Sequence, residues 1–219
     1  WYNNRMKVST VFQKSIREVG EYNTLKPGSN NKKLGFKVTA KKWTGKRLFS
    51  LTLVERETCP VSCHHWDDCY GNNMPFAHRF STNGLEEQLE TEIDGLLLRY
   101  PAGIVIRLHV LGDFYSSDYV SFWQEQLIKH PNLCLFGYTA NEVSSPIGKA
   151  IQLLNMRFNE RVVIRYSRSE EYDEINKFAA EESFEGKSFI CPEQTGKLPS
   201  CAACGLCWTV EKTVKFLSH

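Results

Sequence analysis

The chain has 219 residues, a net charge of +2, and 42% hydrophobic and 24% charged content, which suits one soluble globular domain with a substantial core. No apolar run approaches the length of a membrane span, which excludes an integral membrane protein of helical type. No signal-peptide pattern opens the chain, which begins at Trp1 without a methionine, and a cytoplasmic location is expected.

Residues 1–46 read as an irregular basic arm, with the turn chemistry of Pro and Gly at Lys26-Pro-Gly-Ser-Asn-Asn. From Tyr22 to Val54 there are eight Lys or Arg residues and no acid, with Phe36 and Trp43 interleaved. Such a segment suits a DNA or RNA backbone, and equally a plain solvated arm. Residues 47–219 form the expected single domain. Leu48–Val54 has strand character, and a polar cysteine loop follows it.

Beyond the loop, strands and helices alternate. Gly84–Arg99 has apolar residues at helical spacing, Ile104–Val110 reads as a strand, and Ser116–Asp118 caps a helix over Tyr119–Lys129. Leu133–Tyr138 and Val162–Tyr166 are strands flanking a helix over Pro146–Phe158, with Pro in its first turn. Glu170–Ser183 reads as a helix with an acidic start, Ser188–Ile190 as a fifth strand, and Thr213–Leu217 as a sixth strand or a helix end. This alternation predicts an α/β fold of right-handed crossovers: a partial (β/α)6 TIM-like barrel of parallel strands, with an open doubly wound sheet as the alternative.

Seven of the eight cysteines fall into two sets, Cys59, Cys63 and Cys69 on the loop after the first strand, and Cys191, Cys201, Cys204 and Cys207. Clustered thiols at ligand spacing favour a reducing compartment and metal thiolates over disulfides. The three-cysteine loop suits a [4Fe–4S] cluster with one open position, or zinc completed by His64 or His65. The tight spacing of the second set resembles ferredoxin-type runs and would close a second cluster, with a zinc knuckle or one shared centre as the alternatives. Cys134, within an apolar strand, reads as an inert buried thiol.

In parallel α/β folds the active site forms after the strand C-termini. The loops there carry Glu55–Cys59, Gly112-Asp113, Tyr138 to Asn141, Ser167-Arg168-Ser169, Cys191 to Gln194 and, if the sixth strand forms, His219. Arg107 and His109 alternate along the second strand, which predicts one shared face towards a pocket; a satisfied structural His is the competing reading. Arg165 is expected to pair with Glu55, Glu57 or Asp113. Asp113 can also be a simple helix cap.

A strand, a three-cysteine loop and β/α units with Gly-Asp after the second strand together resemble the radical S-adenosylmethionine (SAM) enzymes. The loop departs from that family's pattern in its Cys63-x5-Cys69 spacing and in having Tyr70 after the last cysteine. The resemblance implies an open cluster on Cys59, Cys63 and Cys69, with SAM held at Gly112, Asp113, Tyr138 and Ser167. It also implies a pocket lined by Asp113, His109, Arg107, Asn141, Arg165 and Gln194, and a reductant protein as partner. The motifs TCPVSC…CYG, RLHVLGDFYS, FGYTA and CPEQTG…CAACGLCW also resemble a cysteine-rich family carried by phages and prophages. That resemblance covers most of the chain from about residue 48 and implies a mobile-element setting, with nucleic acid or a nucleotide as substrate.

Overall fold

The computed structural model describes residues 9–168, 170, 173 and 175–217. Its strands are β1 (Ile16–Arg17), β2 (Lys26–Pro27), β3 (Arg47–Ser50), β4 (Arg79–Phe80), β5 (Ile104–Leu108), β6 (Leu133–Thr139), β7 (Val162–Ser167), β8 (Phe178–Ala180), β9 (Ser188–Ile190) and β10 (Thr213–Lys215). Its helices are α1 (Leu85–Arg99), α2 (Ser117–Lys129), α3 (Pro146–Arg157) and the single turn α4 (Cys201–Cys204). Eight strands form one sheet in the order β2-β3-β5-β6-β7-β8-β10-β9, parallel throughout except for the β2–β3 pair. β1 and β4 pair separately.

The fold is therefore mixed α/β with a mostly parallel sheet. Among the described residues the sheet does not close: β2 and β9 are its edges. All three long helices lie side by side on one face, each following the strand before it. Local chemistry explains their limits. Ser116 accepts the amide of Tyr119 at the start of α2, and Ser145 accepts that of Gly148 ahead of Pro146 in α3. Glu86 and Glu87 sit in the first turn of α1, where the helix dipole favours acids.

Among the described residues, the other face of the sheet carries no long helix. Leu48, Val105, Cys134, Phe136 and Val163 pack there against Leu34, Val38 and Trp43 from the chain start and Ala202 and Trp208 from the second cysteine segment. Trp43 and Trp208 stack with ring centroids 5.2 Å apart, a pairing that contributes about 1 kcal/mol beyond the area it buries. A loose arm ending at residue 46 is thereby corrected: Leu25, Leu34, Val38 and Trp43 are buried, and Glu92 of α1 accepts the amides of Thr24 and Leu25. Their irregular spacing carries no periodic signal, so the burial could not be read from pattern.

Two further expectations are corrected. The segment expected as a helix over 170–183 contains β8, whose three residues are all buried. Phe178-Ala-Ala is a short continuous apolar run, which suits a strand covered on both faces. β10 lies between β8 and β9, so strand order departs from chain order at the end of the sheet. Residues 1–8 of the arm, Ser169 and His219 lie outside the described residues. No described helix is long and apolar enough to cross a membrane.

Candidate metal and ligand site

The loop between β3 and β4 is held from beneath by a buried ion pair that pattern reading missed. Arg79 Nε donates to Glu55 Oε2 at 2.8 Å, with both side chains inaccessible to solvent. The same guanidinium also donates to Ser15 Oγ and to the carbonyls of Gly71, Met74 and Ala77. Thr10 donates to the other Glu55 oxygen. Arg56, in the left-handed region at φ 68°, donates to Trp66 O and Asn72 Oδ1. The only sequence signal for these roles was charge beside the cysteines.

Cys59, Cys63 and Cys69 ride on this frame, all half-buried. Burial pushes Cys59 up to about 12, with Asp113 and the neighbouring thiols adding to the rise. Cys63 and Cys69 are raised for the same first reason. The second set is assembled from three directions. Cys191 N donates to Lys215 O of β10, Cys201 N to Lys33 O, and Arg165 Nε to Cys207 O. Burial raises Cys201 to about 12 and also raises Cys204 and Cys207, with Cys191 among the thiols that add to each shift.

Each set is thus a group of mutually opposed thiols that a cation would allow to ionise. Among the described residues no three cysteine sulfurs lie within 4.8 Å of one another. A single zinc ion with bonds of about 2.3 Å would bring them to roughly 3.8 Å.

The expected pocket residues divide. Gly112 has φ +81°, and a Cβ there would stand 2.6 Å from both Leu53 Cβ and Thr58 Oγ1, so only glycine lets this loop approach the cysteine loop. Asp113 N donates to Thr58 Oγ1. Its Oδ1 accepts from Phe114 N, Thr139 Oγ1 and Asn141 Nδ2, and its Oδ2 from Ala140 N. Burial lifts this carboxyl to about 6 while those hydrogen bonds pull it down. Oδ2, with one partner, retains a lone pair. Arg107 lies between the two sets: it stands over the Tyr138 ring at 6.0 Å and feels Tyr70, Cys201 and Cys207, and its buried Nε has no hydrogen-bond partner. Ser167 ends β7, half-buried.

The surroundings of four of these residues are now defined. His109 does not share a face with Arg107. β5 ends at Leu108, and His109 turns to the helix side, its Nε2 3.1 Å from Tyr119 Oη and its ring against Phe114. Burial pushes it down to about 3, which favours the neutral imidazole. Arg165 donates to the carbonyls of Cys207, Phe178, Lys212 and Val210 and so positions the second cysteine segment. Asn141 donates to Asp113 Oδ1, Thr139 Oγ1 and Phe114 O, and Gln194 exchanges two hydrogen bonds with the Leu217 backbone.

A family model described as Gene product 88 matches residues 22–213. The chain belongs to the gene product 88 family. Its matched region begins within the basic segment, in keeping with the packing of Leu25 to Trp43 on the sheet. No curated protein and no solved structure matches the chain.

Proposed function

We propose that this gene product 88 protein is an iron–sulfur enzyme of radical-SAM-like type, built on a partial-barrel arrangement of its parallel strands. Cys59, Cys63 and Cys69 would hold a [4Fe–4S] cluster with an open position, and Cys191, Cys201, Cys204 and Cys207 a second, closed one. When bound, such an open cluster supplies a site for the amino and carboxylate groups of SAM and the electron for its reductive cleavage, drawn from a reductant protein.

The observation that carries this reading is the meeting of Gly112-Asp113 with the three-cysteine loop. Asp113 is close enough to raise Cys59 and Cys63, and its Oδ2 keeps a lone pair for a ligand ammonium. Arg107, half-buried and with no bonded acid, suits an anionic group between the two sets, as a nucleotide or nucleic acid would offer. Tyr138 backs that guanidinium and contacts Cys207.

The test is anaerobic purification followed by metal, sulfide and SAM-binding analysis. The protein should be brown, carry iron and sulfide, and change its spectrum on adding SAM. Asp113→Asn should weaken SAM binding at least about tenfold with iron content retained. Stoichiometric zinc without sulfide would sink the cluster assignment, and unchanged spectra with SAM would sink the radical-SAM one.

A second reading has its own observation. Lys32, Lys33, Lys37, Lys41 and Lys42 are exposed on the segment whose backbone pairs with Cys201 and Ala202. That arrangement suits a metal-stabilised nucleic-acid-binding module without turnover.

A further inference from the structure

His64 and His65 lie on the three-cysteine loop, yet they point away from any role as its fourth ligand. Both turn to Glu181, the residue after β8: His64 Nε2 lies 3.5 Å and His65 Nε2 3.3 Å from the same Glu181 Oε1. The two imidazole centroids are 4.7 Å apart. Among the described residues this is the one group of three His, Cys, Asp or Glu residues whose ligand atoms all lie within 4.8 Å of one another.

The separations of 3.3 and 3.5 Å suit a shared tetrahedral ion, whose bonds of roughly 2.0–2.1 Å would hold ligand atoms about 3.3–3.4 Å apart. His65 is oriented from behind as well, its Nδ1 lying 3.3 Å from Asp68 Oδ1. A carboxylate on Nδ1 fixes the tautomer that leaves Nε2 free for a metal, as in carboxylate–histidine–metal triads.

We propose that His64, His65 and Glu181 form a binding site for a divalent transition-metal ion of zinc class, distinct from both cysteine sets, with Asp68 as the group that orients His65. Two nitrogens and one carboxylate oxygen leave the ion an open position for water. The site spans two segments far apart in sequence, so an ion there ties the outer side of the cysteine loop to the strand end beyond β8.

Cobalt(II) titration of anaerobically purified protein tests this, because cobalt on nitrogen and oxygen shows weak visible bands without the intense near-ultraviolet charge transfer of thiolate ligation. Wild-type protein should take up cobalt with the former signature. Glu181→Gln and His65→Ala should each lower the affinity at least about tenfold, and Asp68→Asn by about tenfold. All these side chains are exposed, so folding is not at stake. Zinc should also slow hydrogen exchange over 59–70 in wild-type protein and not in Glu181→Gln. Equal cobalt affinity in Glu181→Gln, or cobalt uptake with strong thiolate charge transfer only, would overturn the proposal.

Discussion

Two polar residues a few positions apart, one within the second predicted strand and one just after it, have opposite fates, and the chain pattern could not separate them. Asp113 stays at the junction of the loops after β5 and β6, its carboxylate taking four hydrogen bonds. His109 is buried at 5% exposure against Tyr119 and Phe114, with no partner for Nδ1. Alternation predicts a side chain's face only while the strand continues, and β5 stops one residue short of His109. Its folded pKa of about 3 lies below the unfolded value near 6.5. The unfolded chain then binds the extra proton between those values, so the contribution of neutral His109 is intact above about 6.5 and is lost as pH falls towards 3. Urea denaturation should therefore show wild-type stability falling more steeply between pH 7 and pH 4 than that of His109→Asn. Parallel curves for the two proteins would contradict the burial of a neutral imidazole.

At the level of elements, α1, α2 and α3 were readable because each carries a long apolar period, and α2 and α3 begin at a serine cap, whereas α1 begins at Gly84 with no side-chain cap. β8 was not, since three residues cannot display a period and its neighbouring acids suggested a helix start. The cysteine sets were plain from spacing, whereas what holds them was not. Glu55–Arg79 under the first set joins residues 24 apart, and Arg165 reaches the second across 42 positions. Removing a charged donor from buried carbonyl partners costs about 1.5–3 kcal/mol per bond, and the bonds do not add fully. Arg165→Met should accordingly destabilise the protein by about 3 kcal/mol, a fall in Tm of roughly 6–12 °C. If both cysteine sets hold metal as proposed, it should be lost from the second before the first. An unchanged melting profile would mean that the carbonyls of Cys207, Val210 and Lys212 are held by something other than Arg165.

For the whole molecule, the basic segment is part of the folded body, and that alters how its charge can act. Lys46 is spent on the carbonyls of Ala102 and Asn132, and Arg47 stacks on Phe36 at 4.9 Å. Lys32, Lys33, Lys37 and Lys41 remain exposed on a fixed surface, and Lys42 beside them donates to Asn159 O and pairs with Glu160. If all five meet phosphates, log K should fall with log salt at a slope of about −4.5, since each neutralised phosphate contributes roughly 0.9 on duplex DNA. Replacing all five with Gln should remove most of that slope without changing Tm by more than a few degrees. Absence of binding at low salt would leave these lysines as solvating charge.

The stack of Trp43 on Trp208 also sets an order of events during synthesis. The two partners are separated by about 165 positions, so at 5–20 residues per second the first waits roughly 8–33 s for the second. During that interval β3, β5, β6 and β7 can already pair and collect their helices, while one side of the sheet, from Leu48 to Val163, is still only half covered. The nascent chain is therefore adhesive on that side until Ala202 and Trp208 arrive. The last cysteines to emerge are the ones that bring the cover with them.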